Sequence, residues 1–276
     1  MSLTDDVTIA TDVEIDLNGY SIRAGTYDIN VPDGFSLTIT GNNTNGSTAS
    51  NVAFSQTGHL ASTGSDSNIT LENIYIYTTG SANTGYGVVQ TGGTLTMENV
   101  TLNSTYTYGA LLATGATATI TDCTSNGTFY FIKADSGADV TLESSTILSY
   151  YNVVYLANSE SGTTHTLDIS DCTLTSVQRS PIEVVKTDIT VSETTLVSNA
   201  TTQSYTLSSS DSGGIGFGVV LAGYESGTAY EGEVSLSDIT YTLKATADPD
   251  GGDTPWNVCY YGSDGASEYE EDGASE

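Results

Sequence analysis

The sequence predicts an all-β solenoid, a stack of short coils that together form three parallel sheets. The first observation is an eight-residue template, seen as LTMENVTL at 95–102, in which apolar and polar residues alternate on both sides of a polar pair. Such alternation over short runs is typical of β-strands. The second is that the template recurs along the chain, and the third is that a further apolar run follows most copies. One unit repeated in this way indicates a solenoid.

Each copy of the template predicts two strands joined by a tight corner at the polar pair. From 69 to 189 successive copies start 22 to 27 residues apart, so the coils there are regular. The outward positions are rich in Thr, whose β-branched side chain suits a pleated surface. The copies start at Ile15, Ile69, Leu95, Ala118, Val140, Leu167, Ile189 and Val234, with a half-formed copy at Leu37.

The apolar run that follows a copy predicts a third strand in each coil. Variable loops separate it from the template, and the longest of these loops spans roughly 198–217. Loops of this length without their own strands are commonly functional. The runs are GVVQ at 87–90, ALLA at 110–113, FYFI at 129–132, VVYL at 153–156, IEVV at 182–185 and GVVL at 218–221.

This coil resembles the right-handed, single-stranded parallel β-helix of the pectate lyase-like superfamily over roughly residues 7–261, and VEIDLNGYSI at 13–22 looks like the opening coil common in that superfamily. The resemblance implies one β-helix domain, 1–261, but not a function, because one fold serves many functions. It also implies an asparagine ladder, in which Asn73 and Asn99 exchange side-chain amide bonds between neighbouring coils. Residues 262–276 form an acidic tail with little to bury, which predicts disorder.

The three cysteines are predicted to be free thiols that pack as small apolar groups. Coils in such a stack lie ~4.8 Å apart. Cys123 and Cys172 occupy the same template position with one coil between them, where Ser145 stands. Their separation of ~9–10 Å exceeds what a disulfide spans. Cys259 is expected to be free as well.

Composition favours an exported protein that does not bind nucleic acid. The chain has 5 Lys and Arg against 34 Asp and Glu, for a net charge of −29, which repels nucleic acid and anionic membranes. No apolar run reaches the ~18 residues of a membrane span. The start MSLTDD has no signal-peptide features. The Ser-, Thr- and Asn-rich, Lys-poor composition is typical of bacterial surface proteins, so we expect a secreted or cell-surface monomer, present here as a fragment without its signal peptide.

Metal binding is suggested at one place. Asp248, Asp250 and Asp253 have a spacing that suggests a Ca²⁺ loop, although the bidentate Glu that ends an EF-hand loop is missing. Ca²⁺ is therefore the one cofactor that the sequence suggests. His59, alone in a loop, is interpreted as a solvated side chain.

Basic residues and tyrosines point to a binding surface on the third sheet. Members of the resembled superfamily that cleave polysaccharides act on the outside of one parallel sheet. Lys133, Arg179 and Lys186 fall around the third-strand runs with Glu183 among them, which favours an anionic ligand such as a uronate sugar. Tyrosine rings suit sugar faces or protein partners, although strand propensity also explains them. The tyrosines are Tyr106, Tyr108, Tyr130, Tyr150, Tyr151, Tyr155 and Tyr205.

The sequence therefore favours a non-catalytic adhesin or carbohydrate-binding solenoid whose partner is a polysaccharide or a host or cell-surface glycan. One alternative is a polysaccharide lyase or glycoside hydrolase acting on an acidic polysaccharide such as pectin, and another is a structural spacer of a larger surface protein. Ice binding by the Thr rows is disfavoured because acidic residues interrupt them. The predicted ligand-binding residues are Tyr130, Lys133, Tyr150, Tyr151, Tyr155, Arg179, Glu183 and Lys186.

Overall fold

A computed structural model of the protein contains strands and turns and, in the ranges described, no α-helix. Strands are numbered β1 to β29 in chain order. The described residues are 1–43, 50–55, 58–79, 85–105, 108–112, 115–134, 137–157, 163–205, 214–223, 232–247, 251–263 and 266–270.

The first sheet contains nine parallel strands, one from each coil, built from the first half of the template. They are β2 (Val13–Asp16), β5 (Ser36–Thr40), β8 (Asn68–Glu72), β11 (Thr94–Glu98), β14 (Thr117–Thr121), β17 (Asp139–Glu143), β20 (His165–Ser170), β23 (Thr187–Ser192) and β26 (Val234–Ser237).

The second sheet contains nine strands built from the second half of the template. They are β3 (Ser21–Gly25), β6 (Asn51–Ser55), β9 (Tyr75–Thr79), β12 (Thr101–Thr105), β15 (Thr124–Thr128), β18 (Thr146–Ser149), β21 (Thr173–Ser176), β24 (Thr195–Ser198) and β27 (Thr240–Leu243).

The third sheet contains eleven strands, of which the last pair is antiparallel. They are β1 (Val7–Thr8), β4 (Ile29–Val31), β7 (Leu60–Ser62), β10 (Tyr86–Gln90), β13 (Tyr108–Leu112), β16 (Ile132–Ala134), β19 (Val154–Leu156), β22 (Ile182–Val185), β25 (Val219–Ala222), β28 (Val258–Ser263) and β29 (Ala266–Glu270).

The three sheets enclose one apolar core, which confirms the predicted parallel β-solenoid. Met97 pairs in register with Ile120, and Ile120 with Leu142, so equivalent positions of consecutive coils form an interior column. All three are at most 1 % exposed. Buried residues from nearly every coil belong to the same cluster, so that sequence distance becomes height along the stack.

The corners between the first and second sheets confirm the role given to the polar pairs. In seven consecutive corners the second residue has φ between 48° and 53°, a left-handed conformation that Asn and Asp tolerate best. The predicted asparagine ladder is present, since Asn99 Nδ2 donates to Asn73 Oδ1 at 2.7 Å. The residues are Asn73, Asn99, Asp122, Ser144, Asp171, Glu193 and Asp238.

The template copy assigned to Ile15 is wrong by two residues. Val13, not Ile15, pairs with Leu37, the start of the next copy. The first corner is longer because Asn18 and Gly19 are both left-handed, with φ of 42° and 83°. Gly19 N–H donates to Ser50 Oγ at 2.9 Å, which fixes this wider corner to the next coil.

Two strand assignments also differ from the structure. In the half-formed copy at Leu37 the first strand pairs in register with the next coil. The second strand does not follow directly after the corner, but lies at Asn51–Ser55. The run at 129–132 is not itself the third strand, which is Ile132–Ala134. Phe129 and Tyr130 instead precede it and pack outside the core in a separate aromatic cluster.

The cysteines are free and buried, as predicted. Cys123 and Cys172 are not merely small apolar groups, however, because they share a corner position with Ser145 and Thr194 that links one coil to the next. Cys123 N–H donates to Ser145 Oγ at 3.0 Å, Ser145 N–H to Cys172 Sγ at 3.5 Å, and Cys172 N–H to Thr194 Oγ1 at 3.3 Å. Each side chain also donates to the carbonyl two residues earlier.

The described part of the acidic tail contains one strand. Ala266–Glu270 is a strand that pairs antiparallel with Val258–Ser263. Pairing with the edge of the last coil satisfies the backbone hydrogen-bonding groups of this segment. Side-chain composition does not reveal this stabilisation. Residues 271–276 lie outside the described residues.

Candidate functional site

The outer face of the third sheet carries a column of residues, one from each coil. In-register pairing places Leu111 beside Lys133, Lys133 beside Tyr155, and Tyr155 beside Glu183. Their neighbours in each strand point into the core, because successive side chains of a strand point to opposite faces. The column thus brings together residues from positions more than 20 apart in the sequence.

A ladder of stacked tyrosines lies along one side of this column. The rings of Tyr86 and Tyr108 are 4.8 Å apart with an interplanar angle of 20°, and those of Tyr108 and Tyr130 are 5.4 Å apart at 3°. The strand pairing sets these distances, because Tyr86 and Tyr108 are in register. Stacking favours the regular spacing of the coils here.

A second aromatic layer joins the ladder from the next coil. Tyr150 N–H donates to Thr128 O at 2.7 Å, and Tyr151 N–H donates to Phe129 O at 2.9 Å, which aligns the two loops. The rings of Phe129 and Tyr151 are then 4.0 Å apart. Tyr150 accepts a hydrogen bond from Gln178 Nε2 at 2.6 Å, so the layer reaches a third coil.

Two cations lie over these rings. Lys133 Nζ is 5.6 Å from the centre of the Tyr108 ring and 5.9 Å from those of Tyr130 and Tyr155. The guanidinium carbon of Arg179 is 4.3 Å from the centre of the Tyr151 ring. Cation–π attraction of this kind holds a charge without neutralising it. Among the described residues no carboxylate forms an ion pair with Lys133.

The predicted site residues differ in exposure. Lys133, Tyr150, Tyr151, Tyr155 and Arg179 are half-buried and adjacent, and we call them the tyrosine–cation face. Tyr130 is 1 % exposed, so it supports this face from below and does not offer a ring to a ligand. Its burial fits the packing explanation that sequence reasoning weighed against sugar binding.

Glu183 lies beneath the surface, although it continues the same column. Its side chain is fully buried, and Asn152 Nδ2 donates to Glu183 Oε2 at 3.2 Å. A Cβ added to Gly214 would lie 3.1 Å from the same oxygen, which shows how closely the Gly214 backbone covers the carboxyl group. Direct contact of Glu183 with a ligand is therefore not available in this arrangement.

Lys186 lies outside the column. It forms the corner between β22 and β23 with φ of 49°, and its carbonyl accepts a hydrogen bond from His165 N–H at 3.1 Å. Since β22 ends at Val185, Lys186 is a corner residue and not one of the outward positions of the third sheet. Lys186 is thus separated from the tyrosine–cation face by the rest of its strand.

Two segments that we call the clasp, 203–204 and 214–217, cover the last coils of the column. Ser204 and Ile215 exchange backbone hydrogen bonds of 3.1 and 2.9 Å. Gln203 holds the clasp to the last coil, since Trp256 N–H donates to Gln203 Oε1 at 2.8 Å and Gln203 Nε2 donates to Trp256 O at 2.6 Å. Phe217 of the clasp packs in an apolar cluster with Val220 and Cys259 of the third sheet.

Two of the three residues of the predicted Ca²⁺ site are not described in the structure. Asp248 and Asp250 lie outside the described residues, as does Tyr106 among the predicted tyrosines. Where side chains are described, no group of three or more His, Cys, Asp or Glu residues is arranged to hold a metal ion. His59, interpreted as solvated, lies 3.2 Å from Asp28 Oδ1.

Sequence reasoning missed Tyr86 and Gln178, which extend the tyrosine–cation face. Tyr86 could have been found from the spacing alone, because Tyr86-Gly87 precedes Val88 as Tyr108-Gly109 precedes Ala110. Gln178 carries no comparable signal. Its role depends on the loop contact with Tyr150, which no periodic pattern encodes.

Comparisons with protein-family models, curated proteins and solved structures return no match to this chain. The architecture of the chain is a parallel β-solenoid with three sheets. Over the ranges for which the structure is described, no helix has the length and apolar character to cross a membrane.

Proposed function

We propose that this solenoid is a non-catalytic carbohydrate-binding module of a secreted or cell-surface protein, and that the tyrosine–cation face binds the glycan. One observation carries the proposal. Lys133 and Arg179, in a chain with 5 basic residues and a net charge of −29, both lie over tyrosine rings on a single half-buried face.

The chemistry of the face suits a sugar. The apolar C–H faces of a pyranose pack on aromatic rings, while tyrosine hydroxyls exchange hydrogen bonds with its hydroxyl groups. Arg179 lies with its guanidinium carbon over the Tyr151 ring, and its N–H groups suit a carboxylate or a pair of hydroxyls. Lys133 supplies a point charge for an acidic substituent. These groups favour a polysaccharide or a cell-surface glycan as the partner.

The resemblance to the pectate lyase-like superfamily supports the same surface, since that superfamily acts on the outside of one parallel sheet. A lyase or hydrolase remains the alternative. It needs a titratable group at hydrogen-bond distance from the substrate. The acidic group predicted for this face, Glu183, does not meet this need, because it is fully buried and covered by Gly214. The geometry therefore favours binding over cleavage.

A glycan array with the purified chain tests the proposal. We expect binding, and we expect Lys133→Met, which keeps most of the side-chain stem, to weaken it at least about tenfold. Lys244→Met is the matched control, because it removes the same charge from an exposed residue of the last coil. Equal effects of the two substitutions would contradict the proposed site.

The same samples separate the alternatives. New reducing or unsaturated chain ends in acidic polysaccharides such as pectin would support the enzyme. Absence of both binding and cleavage across the array would support a structural spacer.

A further inference from the structure

The outer column of the third sheet is open only along part of the stack. Val89, Leu111, Lys133 and Tyr155 occupy four successive rungs and are all half-buried. The next three rungs, Glu183, Val220 and Cys259, are each 0 % exposed. The change from open to covered therefore falls between Tyr155 and Glu183.

The clasp causes this change. A Cβ at Gly214 would lie 2.6 Å from Val220 Cγ2 as well as against Glu183, so the backbone of Gly214 rests on both rungs. Ser180 fixes both ends of this segment, because Ser180 N–H donates to Gly214 O at 3.1 Å and Phe217 N–H donates to Ser180 Oγ at 3.1 Å. The clasp is thus tied to the coil that carries Arg179.

At the opposite end the floor of the open column offers less contact, because the next side chain is small. Ala61, which pairs with Val89 on the preceding rung, is 6 % exposed. Rungs of a parallel stack are ~4.8 Å apart, which is close to the advance of one pyranose in an extended chain. The open floor therefore matches about four sugar units laid along the stack.

We infer that the tyrosine–cation face is a blind groove that holds the end of a glycan chain, about four units long, with the terminal unit against the clasp beside Arg179. The inference rests on the proposed carbohydrate binding and adds the mode of recognition. A chain running through the site in both directions would meet the Gly214 backbone, so an internal stretch of a polymer does not fit.

Calorimetric titration with length series of oligogalacturonides and of cello-oligosaccharides, from monomer to decamer, tests this inference. In the series that binds, affinity should rise at least about tenfold from monomer to tetramer and less than about twofold from tetramer to decamer. A long polymer should bind one protein molecule per chain end. Lys133→Met should weaken every length from dimer upward.

The outcomes separate the two proposals. Affinity that keeps rising to the decamer, or several protein molecules bound along one polymer, would overturn the blind groove and leave carbohydrate binding intact. Saturation at the tetramer that Lys133→Met does not affect would place the groove elsewhere and also overturn the inference. Failure of both series and of the glycan array would remove the proposed function, and the groove with it.

Discussion

The hydroxyl of Ser145 accepts a hydrogen bond from the backbone N–H of Cys123, one coil earlier, at 3.0 Å, and donates its own proton to Glu143 O at 2.7 Å. Cys172 and Thr194 repeat this arrangement in the next two coils. At these three corners the buried N–H of one coil therefore faces a short side chain of the next coil that can both accept and donate. Ser, Thr and Cys meet this requirement, and apolar residues do not.

Replacing Ser145 by Ala should leave the buried N–H of Cys123 without its acceptor. Because an unsatisfied buried donor costs about 1–3 kcal/mol, the free energy of unfolding should fall by that amount. Ser145→Cys should cost less than Ser145→Ala, since Cys172 already serves at this position. Urea unfolding of the three proteins measures the difference, and equal losses for the two variants would show that the hydrogen bond contributes nothing.

The asparagine ladder predicts that Asn99→Ala lowers the free energy of unfolding more than Asn99→Gly does. Asn99 has φ of 50° and donates to Asn73, so Asn99→Ala removes a hydrogen bond and also places Ala in a left-handed conformation. These effects together should cost about 2 kcal/mol. Asn99→Gly removes only the hydrogen bond and should cost less, because glycine adopts this φ readily. Denaturant titration that finds Ala the milder replacement would contradict the corner geometry.

The buried thiols predict a loss of stability at alkaline pH. Burial raises the pKa of Cys123 from its ordinary value of 9.0 to about 12 and that of Cys172 to about 11. Burial, with a smaller effect of Glu183, also raises the pKa of Cys259. A raised pKa means that the folded state holds the proton more tightly, so its stabilising effect is complete below pH 9 and is lost as the pH rises toward 11 and 12.

A double variant tests this dependence. Cys123→Ser with Cys172→Ser keeps the corner hydrogen bonds and removes both thiols, while Cys259 stays as it is. Unfolding free energies measured at intervals from pH 8 to pH 10 should fall less steeply for the variant, by up to about 1.4 kcal/mol per thiol for each pH unit above the ordinary thiol pKa. Parallel curves would contradict the pKa shifts.

The buried His165 predicts that stability is sensitive to substitution at the start of β20, in the first sheet. Its ring is fully buried, Ala138 N–H donates to Nδ1 at 3.0 Å, and Nε2 lies 2.6 Å from Ala157 O. Nδ1 therefore accepts, and the neutral ring carries its hydrogen on Nε2. His165→Leu should cost about 1–3 kcal/mol by leaving Ala138 N–H and Ala157 O unsatisfied. The surface variant His59→Leu should cost less than about 1 kcal/mol, and a smaller loss for His165→Leu in thermal unfolding would contradict this account.

Most of the fold could be predicted because period-2 alternation and left-handed corners are local properties of the chain. The register of Leu95, Ala118 and Val140 followed directly from the repeated template. The error at Ile15 arose because the first corner holds two left-handed residues, Asn18 and Gly19, where the later corners hold one. The alternation of apolar and polar residues does not determine how many residues a corner contains.

The site was predicted less completely, because loops decide which outward residues stay open. The sequence placed Lys133 and Tyr155 on the outer face, and the structure brings them together. It could not show that Gly214 covers Glu183 or that neighbouring rings bury Tyr130. Both depend on contacts between segments that no repeat relates.

Tyrosine iodination with and without glycan, read by mass spectrometry, tests the central claim that the tyrosine–cation face binds sugar. The glycan found on the array should slow iodination of Tyr151 and Tyr155 several-fold. Tyr20 and Tyr77, which are 75 % and 39 % exposed and belong to other parts of the stack, should react unchanged and serve as internal controls. Protection of Tyr77 or Tyr20, with Tyr151 and Tyr155 unaffected, would contradict the account.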